Sequence, residues 1–213
     1  MPHRAKGVTR EQYETIMRIK RYGAFKKTRM TQQMEGDDSD EMPVAVTVTC
    51  GDARRLLKLM KFQSRGCGHL IHPVTVIGGA CGIHTKTPVK LSVPPPVEWI
   101  IDQIKFSALA MNTKKVNSFA HFPCGGCNFR TVSIPQQVEL SLLGYGVLNE
   151  HLISKGYEIT PLVHGLYGTD NGFDPRDDET FEVDRDAWLE ARPAFRDELA
   201  DLPVRLIELP TTA

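Results

Sequence analysis

Residues 115–127, KVNSFAHFPCGGC, combine the end of an apolar strand pattern with a cluster of potential metal ligands. Residues 116–120 predict a short buried strand that ends at His121. Cys124 and Cys127 follow closely, in a chain that contains only five cysteines. Taken alone, this stretch fits a reactive thiol, a closed structural zinc site or part of a catalytic metal site. The other ligand-type residues of the chain are needed to choose between them.

The segments around this stretch alternate between strand and helix patterns. Strand patterns rich in β-branched residues occur at 44–50, 74–77, 116–120 and 157–166, with a short edge strand at 204–209. Helical patterns occur at 9–22, 53–62, 97–111, 133–155 and, interrupted at Pro193, 183–199. This alternation is typical of the α/β class. It predicts a mostly parallel sheet of about four core strands, flanked by helices and preceded by an N-terminal helical arm.

Two of these helices carry apolar stripes that should pack against other elements. The helix at 9–22 begins with a capping box of Thr9 and Gln12, and its stripe comprises Tyr13, Ile16, Met17 and Ile19. The helix at 97–111 follows three prolines, and its apolar side is expected to comprise Trp99, Ile100, Ile104 and Leu109. Both stripes predict packing partners, and the first helix is separated from the α/β domain by a run of acidic residues at 35–41 that predicts a linker.

The composition favours a soluble globular protein and excludes several functional classes. The 213 residues are 41% hydrophobic and have a formal net charge of zero, which argues against binding to nucleic acid or to a membrane surface. The first residues, MPHRAKGVTREQ, lack the apolar core of a signal peptide, and no run is long enough for a membrane span. With an odd number of cysteines, these features predict a cytoplasmic location and reduced thiols.

Two groups of ligand-type residues lie where strands are predicted to end. Cys50 ends the first strand of the domain, and His121 and Cys124 follow the third. In open α/β sheets, sites form outside the C-terminal ends of strands at the point where the strand order reverses. If the second strand packs on one side of the first and the third strand on the other, Cys50 and His121 meet at this point.

Cys50, His121 and Cys124 then supply two thiolates and one imidazole, the kind of ligand set that leaves a catalytic zinc ion with an open fourth position. Asp52 and Arg54 follow Cys50 closely in sequence. A carboxylate at this place can accept a hydrogen bond from a zinc-bound hydroxide, and an arginine can hold that carboxylate away from the metal. Zinc lowers the pKa of a bound water to about 7, so the nucleophile is available at neutral pH.

The pairing of C-x-D-x-R at 50–54 with H-x-x-C-G-G at 121–126 resembles the β-class carbonic anhydrases. The segments VEWIIDQIKFSALA, KVNSFAHFPCGG and YEITPLVHGLYGTDNG are similar to family segments, so the resemblance spans about residues 43–174. It implies reversible hydration of carbon dioxide to bicarbonate by a zinc-bound hydroxide, and a homodimer in which N-terminal helical arms wrap the partner. It also implies Zn2+ bound by Cys50, His121 and Cys124, with Asp52 and Arg54 as the catalytic pair. Residues 1–42 would then be the arm with its linker, and residues 43–213 the zinc-binding α/β domain.

Three alternatives remain open at this point. The family has an Arg-Asn-Ala-Gly-like stretch after the second strand, where this chain has IGGAC at 77–81. Relatives that hydrolyse carbon disulfide or carbonyl sulfide are therefore the nearest alternative. A non-catalytic zinc protein is another, in which Cys127 is a fourth ligand that closes the site. The third is an enzyme with Cys124 as a nucleophile beside His121, although it leaves Cys50 without a role.

A second group of ligand-type residues lies in the glycine-rich region between the second and third helical patterns. A second metal ion is one interpretation, and a loop with buried thiols and solvated imidazoles is the simpler one. His72 or His84 would suit a proton shuttle if either faces the site. The members of this group are Cys67, His69, His72, Cys81 and His84.

Overall fold

A computed structural model describes residues 7–28, 44–51, 70–83, 96–122, 124, 132–165 and 179–200. In these ranges six strands form one sheet in the order β1-β6-β5-β4-β2-β3. The strands are β1 Phe25–Lys27, β2 Val44–Cys50, β3 Leu70–Val76, β4 Lys115–Phe122, β5 Glu158–Gly165 and β6 Glu179–Val183. The helix predicted at 53–62, the edge strand predicted at 204–209 and the acidic linker at 35–41 lie outside the described residues.

Four neighbouring strands, β5, β4, β2 and β3, are parallel, and they confirm the predicted α/β class with a mostly parallel sheet. β3 pairs with β2, β2 with β4, and β4 with β5, all in parallel. The antiparallel strands β6 and β1 extend the sheet beyond β5. Both were missed in the sequence, because each is short and carries charged residues that do not form a buried strand pattern. The helix predicted at 183–199 therefore begins later than expected, because Val183 is the last residue of β6.

Five α-helices occur in the described ranges, and their bounds follow the sequence patterns closely. They are α1 Arg10–Arg21, α2 Val97–Ala110, α3 Ile134–Leu152, α4 Arg185–Ala191 and α5 Arg196–Leu199. A 3-10 turn at Arg192–Phe195 separates α4 from α5, which confirms the predicted interruption at Pro193. Among these helices none has the length and apolar character that crossing a membrane requires.

The long helix α3 forms the centre of the apolar core on one face of the sheet. Ser133 and Gln136 make a capping box at its start, and Pro135 occupies its first turn, where its missing N–H is no loss. Most of its residues are buried, including Leu140, because it lies against the sheet. A 3-10 turn follows, and Gly156 ends it with a positive φ of 78°, as the sequence predicts.

The helix α2 buries a different face from the one that the sequence suggested. Ile100 and Ile104 are buried against β2 and β3, as expected, together with Ile101. The assignments of Trp99 and Leu109 to the buried side were wrong, since Trp99 is 50% and Leu109 81% exposed. One helix face of limited width faces the sheet, and the apolar residues of α2 cover more of the circumference than that face can contact.

The helix α1 packs against its own chain. Its capping box of Thr9 and Gln12 is present as predicted. Ile16 and Ile19 are fully buried in the core cluster that also contains Trp188 and Phe195. The Arg18 guanidinium bonds to Glu198 at 2.9 Å and lies over the Phe195 ring, 4.5 Å from its centroid. The apolar stripe of α1, which was expected to pack on a partner chain, is thus covered within one chain. The predicted dimer would have to form through another surface.

Ile16→Ala should lower the free energy of unfolding by about 2–5 kcal/mol, because it removes a fully buried side chain and leaves a cavity. Ile153→Ala is the matched control, since Ile153 is 52% exposed and its truncation should change stability by about 0.5 kcal/mol or less. Urea unfolding followed by circular dichroism measures both. Equal losses in the two variants would contradict the packing of α1 on this core.

Candidate metal centre

Cys50 and His121 meet at the point where the strand order reverses. Cys50 is the last residue of β2, and His121 lies one residue before the end of β4. β2 pairs with β3 on one side and with β4 on the other, which is the arrangement that the sequence analysis required for the two residues to approach. β4 continues to Phe122, slightly beyond the predicted strand, and Cys124 is the second residue after its end.

The three side chains form a compact buried cluster. The sulfur atoms of Cys50 and Cys124 and a ring nitrogen of His121 all lie within 4.8 Å of one another. The two Sγ atoms are 3.8 Å apart, far longer than the roughly 2.05 Å of a disulfide, so the two cysteines are not joined by a disulfide bond. No other group of three or more potential ligands clusters in this way among the described residues. This cluster is the candidate metal centre.

The chemistry of these donors fits a bound metal ion. Cysteine sulfur and histidine nitrogen together suit zinc and other borderline or soft transition metals. His121 is almost completely buried, and neither of its ring nitrogens has a hydrogen-bond partner among the described residues. A buried polar atom without a partner costs about 1–3 kcal/mol. Coordination of one ring nitrogen to a metal ion would remove part of this cost, so metal binding would stabilise the cluster.

The protonation of Cys50 couples metal binding to pH. The pKa of the Cys50 thiol is raised to about 12, mainly by its hydrogen bond with the Cys124 thiol and next by burial, whereas the neighbouring His121 lowers it. Without a metal ion, Cys50 is therefore a neutral thiol at pH 7. Since the thiolate is the ligand, a metal ion must displace this proton, and its affinity should rise with pH until the thiol ionises by itself.

A tight glycine turn lies directly behind the cluster. Gly79, in the 3-10 turn Gly79–Gly82 after β3, has a positive φ of 58°. A Cβ atom at Gly79 would lie 2.5 Å from the carbonyl oxygen of Phe119 and 3.0 Å from the backbone nitrogen of Cys50. Cys50 is a candidate metal ligand itself, and Phe119 lies two residues before the candidate ligand His121. Only glycine fits at this position, which has no room for a Cβ atom. The turn therefore determines how closely the C-terminal ends of β2 and β4 approach each other.

The same turn packs onto α3 through a second glycine. A Cβ atom at Gly144 would lie 2.0 Å from the carbonyl oxygen of Ala80. The turn is thus held between the helix and the strand ends that bear the ligands. In the sequence, residues 77–81 stand out only as a departure from the pattern of the family that the chain resembles. Two consecutive glycines after a strand were the signal of a close backbone approach.

His164 is a second buried histidine beside the cluster, and the sequence analysis did not single it out. It lies opposite His121 in the pairing of β4 with β5. Its Nδ1 is 2.8 Å from the hydroxyl oxygen of Thr180 on β6, and its ring packs near Phe119 with a centroid distance of 6.3 Å. Strand register brings it there, and no local sequence pattern could have indicated this position.

The proposed second metal group is only partly within the described residues. Cys81 is buried in the core, where its thiol donates a hydrogen bond to the carbonyl oxygen of Gln137 at 3.5 Å. His72 lies on β3 and is partly exposed. Cys67, His69 and His84 lie outside the described residues. Cys81 thus acts as a packing residue in the described part of the fold.

The remaining predicted site residues, Asp52, Arg54 and Cys127, also lie outside the described residues, and their roles stay predictions. Gly51, which immediately precedes Asp52, is exposed at the end of β2, and its backbone N–H donates to the carbonyl oxygen of Val76 at 3.3 Å.

Comparison with models of known protein families, with curated proteins and with solved structures found no match to this chain. The candidate centre is accordingly interpreted from its own geometry and chemistry.

Cys50→Ser should abolish or strongly reduce metal binding, because the substitution removes one of the two thiolates. Cys81→Ser is the matched control, a buried cysteine whose thiol bonds to Gln137 and lies outside the cluster. Elemental analysis of the purified proteins should find about one metal ion per chain in wild type and in Cys81→Ser. Full metal content in Cys50→Ser would contradict the assignment.

Gly79→Ala should weaken metal binding by roughly 10–100-fold, the range seen when the support behind metal ligands is disturbed. The added Cβ would press on the backbone of Phe119 and Cys50. Gly156→Ala is the matched control, because Gly156 has a similar positive φ of 78° and nothing within 4 Å of the added atom. Competition with a chelator measures both affinities, and equal values would exclude a role for the turn in positioning the ligands.

Proposed function

We propose that this protein is a zinc-dependent enzyme that catalyses the reversible hydration of carbon dioxide to bicarbonate, with a site of the β-class carbonic anhydrase type. The observation that supports this proposal is the buried group of Cys50, His121 and Cys124 at the C-terminal ends of β2 and β4. Two cysteines and one histidine are a ligand set that catalytic zinc sites use with one position left for water. When bound, zinc supplies a water nucleophile that ionises near pH 7.

The proposal assigns a separate role to the residues after β2. Asp52 accepts a hydrogen bond from the nucleophile and so orients it toward the substrate. Arg54 holds the Asp52 carboxylate by a charge-assisted pair and prevents it from becoming a metal ligand itself. Gly51 is exposed directly after β2, and Asp52 is the second residue after the candidate ligand Cys50 in the sequence.

The surroundings of the cluster suit a small apolar substrate. Cys50 and Cys124 belong to the core cluster that also contains Ala120, Phe122 and Val163. Carbon dioxide carries no charge, so it can enter apolar surroundings without a buried charged group to compensate it. Bicarbonate is an anion and leaves into water. Carbon disulfide and carbonyl sulfide share this apolar character. They are the second candidate substrates, because Gly78 and Gly79 stand where the family has an arginine and an asparagine.

Asp52→Asn should lower the turnover of carbon dioxide hydration by about 10–100-fold or more while the metal content stays near that of wild type. The amide keeps the shape of the carboxylate and loses its charge. Asp186→Asn is the matched control, since the Asp186 side chain is 87% exposed on α4, and its turnover should equal that of wild type. Stopped-flow measurement of proton release, at matched zinc content, determines all three rates.

The other interpretations predict different results in the same assay. A zinc-loaded wild type that hydrates neither carbon dioxide nor its sulfur analogues would contradict the enzyme assignment. If Cys127→Ala then gained activity, Cys127 would be the ligand that closes a structural site. Hydrolysis of carbon disulfide or carbonyl sulfide without hydration of carbon dioxide would transfer the proposal to that substrate class.

A further inference from the structure

A row of three polar side chains crosses the sheet beside the candidate metal centre. His121 on β4 lies opposite His164 on β5, and His164 lies opposite Thr180 on β6. Both histidines are almost completely buried, whereas Thr180 is partly exposed. The row therefore leads from a candidate metal ligand in the interior to a threonine at the border of the buried region.

A ring contact shows that the two histidines project from the same face of the sheet. The ring centroids of His164 and Phe119 are 6.3 Å apart. Phe119 precedes His121 by two residues on β4, so these two side chains lie on one face. Adjacent strands are roughly 4.8 Å apart. His164 is therefore the direct neighbour of His121 across the strands.

The His164 ring is fixed by its contacts with the neighbouring strands. Its Nδ1 forms a hydrogen bond with the Thr180 hydroxyl at 2.8 Å, and this bond restricts the ring plane whichever of the two groups donates. The backbone of Thr180 is held as well, because the Thr28 hydroxyl donates to its carbonyl oxygen at 3.2 Å. Phe119 packs near the same ring. His164 is thus a side chain of fixed orientation next to a candidate ligand.

The His121 ring lacks a comparable hydrogen bond within the described residues. Neither of its ring nitrogens has a partner there, so in this part of the fold only packing can define the plane of the ring. A ligating imidazole must point one nitrogen at the metal ion, and the residues around ligating histidines commonly fix this orientation. The neighbour that is itself fixed, His164, is placed to do so.

We propose that His164, held by Thr180, is a positioning residue that orients the His121 imidazole toward the metal ion. Loss of this support would let the His121 ring rotate, and metal binding would then have to restrict that rotation at a cost in affinity. His164 is not among the ligand atoms that lie within 4.8 Å of one another, so it acts through His121. The inference rests on the same metal centre as the proposed function, but it does not depend on the substrate.

Thr180→Val tests the proposal with little change of shape, because it replaces the hydroxyl by a methyl group and valine suits a strand. We expect it to weaken Zn2+ binding by about tenfold, the lower end of the range for changes around metal ligands. Thr180→Ser keeps the hydroxyl and should bind Zn2+ as wild type does. Thr160→Val is the matched control, since Thr160 is a partly exposed threonine on β5, four residues before His164. Competition with a chelator measures all four affinities.

His164→Ala removes the supporting ring itself and should weaken Zn2+ binding by roughly 10–100-fold. Because this substitution also leaves a cavity, the visible spectrum of the Co2+-loaded proteins is the second measurement. A variant that is only less stable keeps the band positions of wild type, whereas a reoriented His121 shifts them. We expect shifted bands in His164→Ala and Thr180→Val, and wild-type bands in Thr180→Ser and Thr160→Val.

The results separate this proposal from the proposed function. Wild-type affinity and wild-type bands in Thr180→Val would overturn the positioning role and leave carbon dioxide hydration untouched. Equal losses in Thr180→Val and Thr160→Val would overturn it as well, because they would reflect a general effect of valine in the sheet. Metal binding is measured without substrate, so an inactive wild type that binds Zn2+ would contradict the enzyme assignment alone.

Discussion

The parallel pairing of β2 with β4 is the constraint on which the candidate site depends. Val46, Thr47 and Val48 lie opposite Val116, Asn117 and Ser118, so the two strands run side by side toward the same edge. The Asn117 side chain donates a hydrogen bond to the Thr47 hydroxyl at 3.1 Å, with both residues buried. This cross-strand bond penalises a slip in register, because a shift would leave buried polar groups without partners. The same register delivers Cys50 and His121 to one place.

Packing behind the strands completes the site. The turn at Gly79 lies against the backbone of Phe119 and Cys50, and α3 holds that turn through the close approach of Gly144 to Ala80. In these surroundings the pKa of the Cys50 thiol is raised to about 12, first by its hydrogen bond with the Cys124 thiol and next by burial. The thiolate forms of these buried cysteines would need a compensating positive charge, which a bound metal ion would supply.

The two outer helices illustrate how the domain distributes its apolar surface. α1 covers the core around Trp188 and Phe195 and is tied to the C-terminal helices by Arg18 and Glu198. α2 covers the other half of the same sheet face but is apolar on its outer side as well. Both helices have an amphipathic pattern in the sequence, yet within the described residues α2 leaves large apolar side chains exposed on its outer side. The difference arises from the geometry of the sheet, which offers a single contact face to each helix.

The sequence by itself determined the alternation of strands and helices, the capping box of α1, the stop at Gly156 and the position of the candidate ligands at or just after strand ends. These features depend on residues within a few positions of one another, through backbone propensity, local hydrogen bonds and periodicity. Only the tertiary structure decided that β3 and β4 flank β2, that His164 lies beside His121, and that Leu109 faces outward while Ile16 is buried. These outcomes depend on contacts between residues far apart in the chain, and a short window of sequence contains no record of which surface will cover it.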